Sequence, residues 1–302
     1  MSKAKFLRQI FAMGGGGFSM EPDNPILDDY LLSLCKRRKP RVCFIPTASG
    51  DSPDYIEKFH AAFKGKRADA SHLPLFRREE TDLGAFLLKQ DIIYVGGGNT
   101  ANMLAVWRVH GVDRILRSAW RRGVVLAGVS AGLICWFEGG LTDSFGPLAA
   151  LPDGLGLLPG TACPHYDGEI NRRPAYQGFV SKGFPAGLAA DDGAAFHFIG
   201  RRLTRCVSSR RSAKTFKVQL LKGKVVETRC RLGFLARAKV IHERQAQAPM
   251  DSRTYQPARK ACRFSCRSLE PSCRVWLRIH WGNHPLRSDL LGSGGEGCGS
   301  WL

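Results

Sequence analysis

Ser130 sits in the run Gly128-Val129-Ser130-Ala131-Gly132, which ends an apolar stretch that opens at Val124. A serine boxed by small residues at this spacing marks a strand that turns sharply into a helix and lifts the hydroxyl to the sheet's edge. Glycine is needed at 128 and 132, because a larger Cβ would collide with the crowded backbone of the turn. The Ala131 amide then opens the helix and aims where an oxyanion would form. The chemistry this offers is nucleophilic attack on a carbonyl. A buried strand–helix corner with no chemistry would use the same residue types.

A serine hydroxyl needs a base to take its proton. His165, in Cys163-Pro164-His165-Tyr166-Asp167, is the strongest candidate, 35 residues after the serine and stiffened by Pro164. His60 falls among apolar neighbours of a helix and His197 alternates within a strand, so both read as structural. The base in turn needs an acid to hold its tautomer. Asp143, Asp191 and Asp192 compete for that place. Each could equally cap its own turn, and spacing does not choose among them.

The elements that must position these residues follow from pattern. A second glycine cluster, Gly96-Gly97-Gly98-Asn99-Thr100, closes the apolar run 91–95. Two parallel strands that end in such turns would bring both to one carboxyl edge, where open α/β sheets bind ligands. Residues 10–13, 41–46, 71–76, 91–95, 124–129 and 155–159 read as strands. Residues 53–64, 85–88, 100–110 and 112–121 carry helical spacing, for instance Tyr55, Ile56, Phe59 and Phe63. Past residue 190 the segments 194–199, 206–209, 214–220 and 224–228 read as antiparallel edge strands. The expected fold is α/β, a largely parallel sheet with helices on both faces and antiparallel edge strands near the end of the domain.

The chain has 302 residues, 44% hydrophobic, and a formal charge of +19, which invites a nucleic-acid reading. Residues 1–228 carry +11 of that excess and show no basic helix or basic–aromatic stripe, so no specific nucleic-acid partner is expected. No run of eighteen uncharged apolar residues suggests a membrane span, and no secretory signal is evident, so cytosol and reduced cysteines are expected. Residues 229–302 hold five of ten cysteines and three of six tryptophans without helical or strand period. They read as a disordered basic tail or a product of a shifted reading frame. The spacing of Cys262, Cys266, Cys273, His280 and His284 does not match zinc modules, so no metal is expected.

The glycine turn at 96–100, the serine turn at 128–132 and the Pro164-His165 pair, in this order and spacing, resemble the peptidase E (aspartyl dipeptidase) family of serine peptidases. The resemblance covers about residues 8–228. It implies a flavodoxin-like fold related to class I glutamine amidotransferases and hydrolysis of small peptides without a cofactor. It implies Ser130 as nucleophile and His165 as base, with Asp143 or Asp192 as the third member. The Gly97, Gly98 and Ala131 amides would form the oxyanion hole. Asn99 would help bind substrate, and Arg172 or Arg173 could meet a substrate carboxylate. Pairing of family edges into a homodimer is a further expectation. The segments 135–138 and 165–167 look more like a broader bacterial branch than the aspartyl dipeptidases. Two rival readings are an α/β-hydrolase esterase, which would place its histidine last, and a non-catalytic binding or regulatory domain on the same fold.

Overall fold

The computed structural model describes residues 7–63 and 67–234. The tail expected from residue 229 lies outside the described residues from 235 onward, as do its Cys262, Cys266, Cys273, His280 and His284. In the first half, strands and helices alternate: β1 (Gln9–Met13), α1 (Ile26–Ser33), β2 (Arg41–Ile45), α2 (Pro53–Phe63), β3 (Asp69–His72), α3 (Leu83–Leu88) and β4 (Ile92–Val95). Next come α4 (Thr100–His110), α5 (Val112–Arg121), β5 (Val125–Val129) and the single turn α6 (Ala131–Ile134). Short strands follow, β6 (Gly139–Thr142), β7 (Ala149–Leu151) and β8 (Thr161–Cys163), then α7 (Arg172–Ser181) and β9 (Gly187–Ala190). The chain continues as β10 (Ala194–Ile199), β11 (Arg202–Ser208), β12 (Thr215–Leu221), β13 (Lys224–Arg229) and β14 (Leu232–Phe234). The last strand lies beyond the boundary expected at 228.

Eight of these strands form one sheet in the order β14-β11-β10-β1-β5-β4-β2-β3. From β1 to β3 every pairing is parallel, and β10 and β11 add antiparallel strands beside β1. Alternate residues of β1 feed two cores: Ile10 and Ala12 pack with Trp107 and Leu126, and Phe11 and Met13 with Phe44 and Phe59. That division is the signature of a sheet buried on both faces, which needs apolar residues at every position rather than every second one. None of the described helices is long and apolar enough to cross a membrane.

A second sheet, β13-β12-β9-β8-β6-β7, was not expected. It takes β12 and β13, which pattern alone had assigned to the edge of the first sheet, and α7 covers it with a smaller core around Tyr166, Tyr176 and Phe216. The segment 155–159, expected as a strand, is instead a buried irregular loop. Leu155 and Leu158 fill the first core while their amides donate to the Cys135 and Trp136 carbonyls at 2.8 Å each. The strand that leads to His165 is β8.

Register brings the site together. Met13 pairs with Val129 and Val95 with Gly128, so β1, β4 and β5 end side by side. In the second sheet Cys163 pairs with Ala189, so β8 and β9 also end together. His165 and Asp192 each lie two residues past the end of one of those strands.

Candidate active site

Ser130 takes the backbone conformation φ 58, ψ −110, between β5 and α6. Positive φ is strained for a residue with a Cβ, and such strain persists only where the surroundings enforce it. Here they do. The Ser130 amide donates to the Met13 carbonyl at 3.1 Å, and the Ser130 carbonyl accepts from Leu133 and Ile134 at 2.8 and 3.1 Å. A Cβ on Gly128 would run into the Gly132 carbonyl, and one on Gly132 into the Val95 carbonyl. The glycine spacing is thus a packing requirement between strand, turn and neighbouring strand.

His165 is a second non-glycine residue at positive φ, 50°, with its amide donating to the Gly14 carbonyl at 3.2 Å. Its ring joins two partners. Nδ1 lies 2.6 Å from Asp192 Oδ1, and Nε2 lies 2.9 Å from Ser130 Oγ. An ionised carboxylate only accepts, so the Nδ1 proton points to Asp192 and Nε2 accepts from the serine hydroxyl.

Asp192 is held from several sides. Its amide donates to Asp167 Oδ1 at 2.8 Å, Arg210 donates to its carbonyl, and the Gly193 amide donates to the Gly15 carbonyl at 3.0 Å. Burial pushes the Asp192 carboxyl up, but the His165 hydrogen bond and the charges of His165, Arg210 and Arg172 outweigh it and leave it below the usual carboxylate range.

Asp143 does not stand in this chain of hydrogen bonds. Its side chain is 57% exposed and its Oδ2 lies 3.5 Å from an Arg172 nitrogen. Asp191 is engaged elsewhere: its Oδ2 accepts from the Lys214 amide at 2.8 Å. Burial, with the charge of Asp167, raises the Asp191 carboxyl to about 6. Of the three candidate aspartates it is Asp192, just past the end of β9, whose carboxylate meets the His165 ring.

Among the amides expected to face an oxyanion, that of Gly97 is occupied, donating to the Tyr55 hydroxyl at 3.2 Å. Among the described residues no protein acceptor takes the Gly98 or Ala131 amide. Gly98 has φ 133, and a Cβ there would meet the Ala48 carbonyl. A pocket of about 310 Å³ opens beside Ser130 and His165, walled by Gly98, Asn99 and Ser144 and by the charged residues Asp143, Glu169 and Arg172.

Asn99 is largely committed to structure. Its Oδ1 caps α4 by accepting from the Asn102 amide at 2.8 Å, and its Nδ2 donates to the Ser144 carbonyl at 3.0 Å. Arg172 reaches the pocket, whereas Arg173 does not line it. Arg173 pairs with Glu227 and lies 5.4 Å from the Tyr166 ring centre and 5.2 Å from that of Phe216. Glu169 and Ser144 were missed from sequence, although each lies within four residues of a residue already singled out, His165 or Asp143. Tyr55 was read only as a helix-face residue. The structural reading of His197 holds: it bonds Tyr30 and Gln9 at 3.0 and 3.2 Å, and burial, helped by Arg205, lowers it to about 4. No cluster of three or more metal-ligating side chains exists among the described residues.

The chain is 55% identical over 222 residues to the uncharacterized peptidase YgaJ of Bacillus subtilis (strain 168), an alignment covering 73% of this chain and 96% of that protein. It is 32% identical over 128 residues to peptidase E of Streptomyces coelicolor, covering 42% and 51% of the two chains. A crystal structure of a peptidase from an acI-B1 Actinobacterium matches the fold with a TM-score of 0.56 at 18% identity, covering 76% of this chain and 97% of that one. The model of peptidase family S51 matches residues 10–206, which is more than half of the chain. The chain therefore belongs to peptidase family S51 and is a peptidase.

Proposed function

We propose that this peptidase hydrolyses small peptides through an acyl-enzyme on Ser130, with His165 as general base and Asp192 as the acid that orients it. The observation that carries the reading is the His165 ring, within hydrogen-bond reach of both Ser130 Oγ and Asp192 Oδ1. His165 Nε2 takes the hydroxyl proton as Oγ bonds to the scissile carbonyl carbon. The tetrahedral oxyanion accepts from the Gly98 and Ala131 amides, each such donor being worth about 3 kcal/mol of barrier. The imidazolium, stabilised by the Asp192 carboxylate, gives its proton to the leaving amine as the C–N bond breaks. Water, deprotonated by His165, then releases the acyl group and restores the serine. The small polar pocket suits a short peptide, since its volume lies near the lower end of the roughly 300–1,000 Å³ that ligand pockets span.

The test is hydrolysis of a dipeptide library by the wild type and by Ser130→Ala, together with labelling by a serine-directed phosphonate. Turnover that falls by about 10⁶-fold in Ser130→Ala, with label on Ser130 of the wild type, is the expected result. A wild type that neither labels nor cleaves would leave the non-catalytic binding domain as the better reading.

A further inference from the structure

We infer that Glu21, in the turn between β1 and α1, is a positioning residue for the triad acid: its carboxylate holds Ser209 and Arg210 against the Asp192–Gly193 turn and so sets where Asp192 stands beside His165. The inference rests on the reading of Ser130, His165 and Asp192 as the catalytic chain and adds the group that holds that chain from behind.

Local turns bring Glu21 into place. Its amide donates to the Gly17 carbonyl at 2.8 Å, and its carbonyl accepts from the Asn24 amide at 2.9 Å. The carboxylate then meets the two residues that follow β11. Ser209 Oγ donates to Glu21 Oε2 at 2.7 Å, Asn24 Nδ2 donates to the same oxygen at 3.4 Å, and Arg210 Nε lies 3.2 Å from Oε1. An ion pair on the open surface does little, because water screens it. This carboxylate is mostly enclosed, with 16% of the side chain accessible, and the hydroxyl it binds belongs to a residue only 6% exposed.

Ser209 and Arg210 in turn grip the backbone that carries the triad acid. The Ser209 amide donates to the Gly193 carbonyl at 2.8 Å, and Arg210 Nη2 donates to the Asp192 carbonyl. A guanidinium presents its N–H donors in a fixed fork, so holding Nε at Glu21 fixes where Nη2 points. The packing leaves little slack. A Cβ on Gly193 would lie 2.7 Å from Arg210 Nε, 2.8 Å from Ser209 Oγ and 3.3 Å from Glu21 Oε1. From the opposite side the Gly193 amide donates to the Gly15 carbonyl at 3.0 Å. Residues 192–193 are thus clamped between the backbone after β1 and the pair 209–210, and Glu21 closes the ring. Without its charge Arg210 keeps one of two anchors, and catalytic groups tolerate little displacement.

The charges give this clamp a signature that packing alone lacks. The Arg210 cation favours the Asp192 carboxylate, and the Glu21 anion offsets that cation. The other charged groups around His165 and Asp192 are Asp191, Asp167 and Glu169, Arg172 of α7 and Asp143 past β6, and they stay unchanged when Glu21 or Arg210 is replaced. Losing Glu21 leaves an uncompensated cation beside the imidazole and disfavours its protonated form; losing Arg210 does the reverse.

The rate at which a neutral fluorophosphonate labels Ser130 reads activation of the hydroxyl without choosing a peptide. Oγ bonds to phosphorus, fluoride leaves, and His165 takes the hydroxyl proton. Glu21→Gln is expected to slow labelling about tenfold, the scale of a sub-ångström misplacement. Added to Asp192→Asn, the same substitution should cost less than about twofold, because Glu21 acts through that carboxylate. The acidic limb of the labelling rate should move to lower pH in Glu21→Gln and to higher pH in Arg210→Gln. A merely structural role would slow both backgrounds by one factor and move neither limb. That result, or a folded Glu21→Gln that labels like the wild type, overturns the inference and leaves the triad standing. If melting curves show Glu21→Gln unfolded, Ser209→Ala carries the cycle: a loss in the wild-type background that vanishes with Asp192→Asn supports the clamp, and no loss, or an equal loss in both, overturns it. Asp192→Asn labelling at the wild-type rate, or a wild type that never labels, overturns the triad reading and the inference together.

Discussion

Asp192 Oδ1 lies against Gly15, closer to the place a Cβ would occupy there than any van der Waals contact allows. The two residues also form an isolated parallel bridge, so the backbone that follows β1 and the turn that follows β9 are tied together at this point. Gly168 crowds the other carboxylate oxygen in the same way, and a Cβ on Gly15 would also come within 3.0 Å of His165 Nδ1. The carboxylate therefore occupies a slot that two glycines keep open. In Gly15→Ala the new methyl must displace the Asp192 carboxylate and crowd the His165 ring, and with them break the hydrogen bond between the two. Dipeptide hydrolysis should fall by about 10²–10⁴-fold, the upper figure being the loss when the triad acid no longer fixes the imidazole. Turnover measured beside a melting curve checks this; full activity in a folded variant would refute it.

Asp192→Asn and Asp143→Asn should separate two carboxylates that sequence alone left equivalent. The first substitution keeps the shape but lets the side-chain amide donate to Nδ1, which puts the ring in the wrong tautomer and lowers kcat by about 10⁴-fold. The second removes a charge from the pocket wall, so its effect should fall on KM. Steady-state kinetics on one free-amine dipeptide resolves the pair. A kcat collapse in Asp143→Asn with near-normal Asp192→Asn would reverse the assignment.

Much of the first sheet and the serine turn was legible because each signal is local. Apolar runs that stop at glycine or at the serine turn marked β1, β4 and β5, and the clash that a Cβ on Gly128 would make with the Gly132 carbonyl is the physical content of the serine motif. The second sheet was not legible. Its strands β6 to β9 have three or four residues each, too short to show a period of two, and β6 begins with two glycines. Residues 155–159 misled for a related reason. Apolar content reports burial, and these leucines are buried as a loop. The meeting of Asp192 with His165 depends on β8 and β9 lying parallel and in register, a long-range pairing that nothing near Asp192 in the sequence encodes.

Tyr55 offers a test of the glycine turn at 96–100. Its hydroxyl accepts from the Gly97 amide, and a Phe would leave that N–H without this partner. An unsatisfied, partly buried donor costs about 1–3 kcal/mol, which should appear as a lowered melting temperature. The Gly98 amide follows directly in the chain, so kcat should drop as well, by up to about tenfold, short of the 10²–10³-fold seen when an oxyanion donor is removed outright. A Tyr55→Phe protein that melts and turns over like the wild type would show that the turn holds its shape without this bond.

Asp28 supplies the prediction that pH can check. It lies in the first turn of α1, 2% exposed, with Oδ1 unpartnered among the described residues. Burial pushes its carboxyl up to about 7, opposed by the charge of Arg67 and the Phe18 amide and aided by Asp29 and Glu21. An unfolded aspartate titrates near 3.9, so between about pH 4 and 7 the folded chain holds a proton that the unfolded chain has released. Stability from this group is therefore full below about pH 4 and lost as pH rises through 7. His197 works in the opposite sense over nearly the same interval. Its folded value of about 4 lies below the unfolded 6.5 or so, and its contribution is lost as pH falls toward 4. The two slopes offset each other in the wild type, and removing one should expose the other. Asp28→Asn keeps an oxygen for the Phe18 amide and carries no charge at any pH. Its melting temperature relative to the wild type should rise from pH 5 to about pH 7 and level off above it, by a few degrees over that span. Thermal melts at half-unit pH steps would show it. A difference that stays constant with pH would mean that Asp28 titrates alike in the folded and unfolded chains.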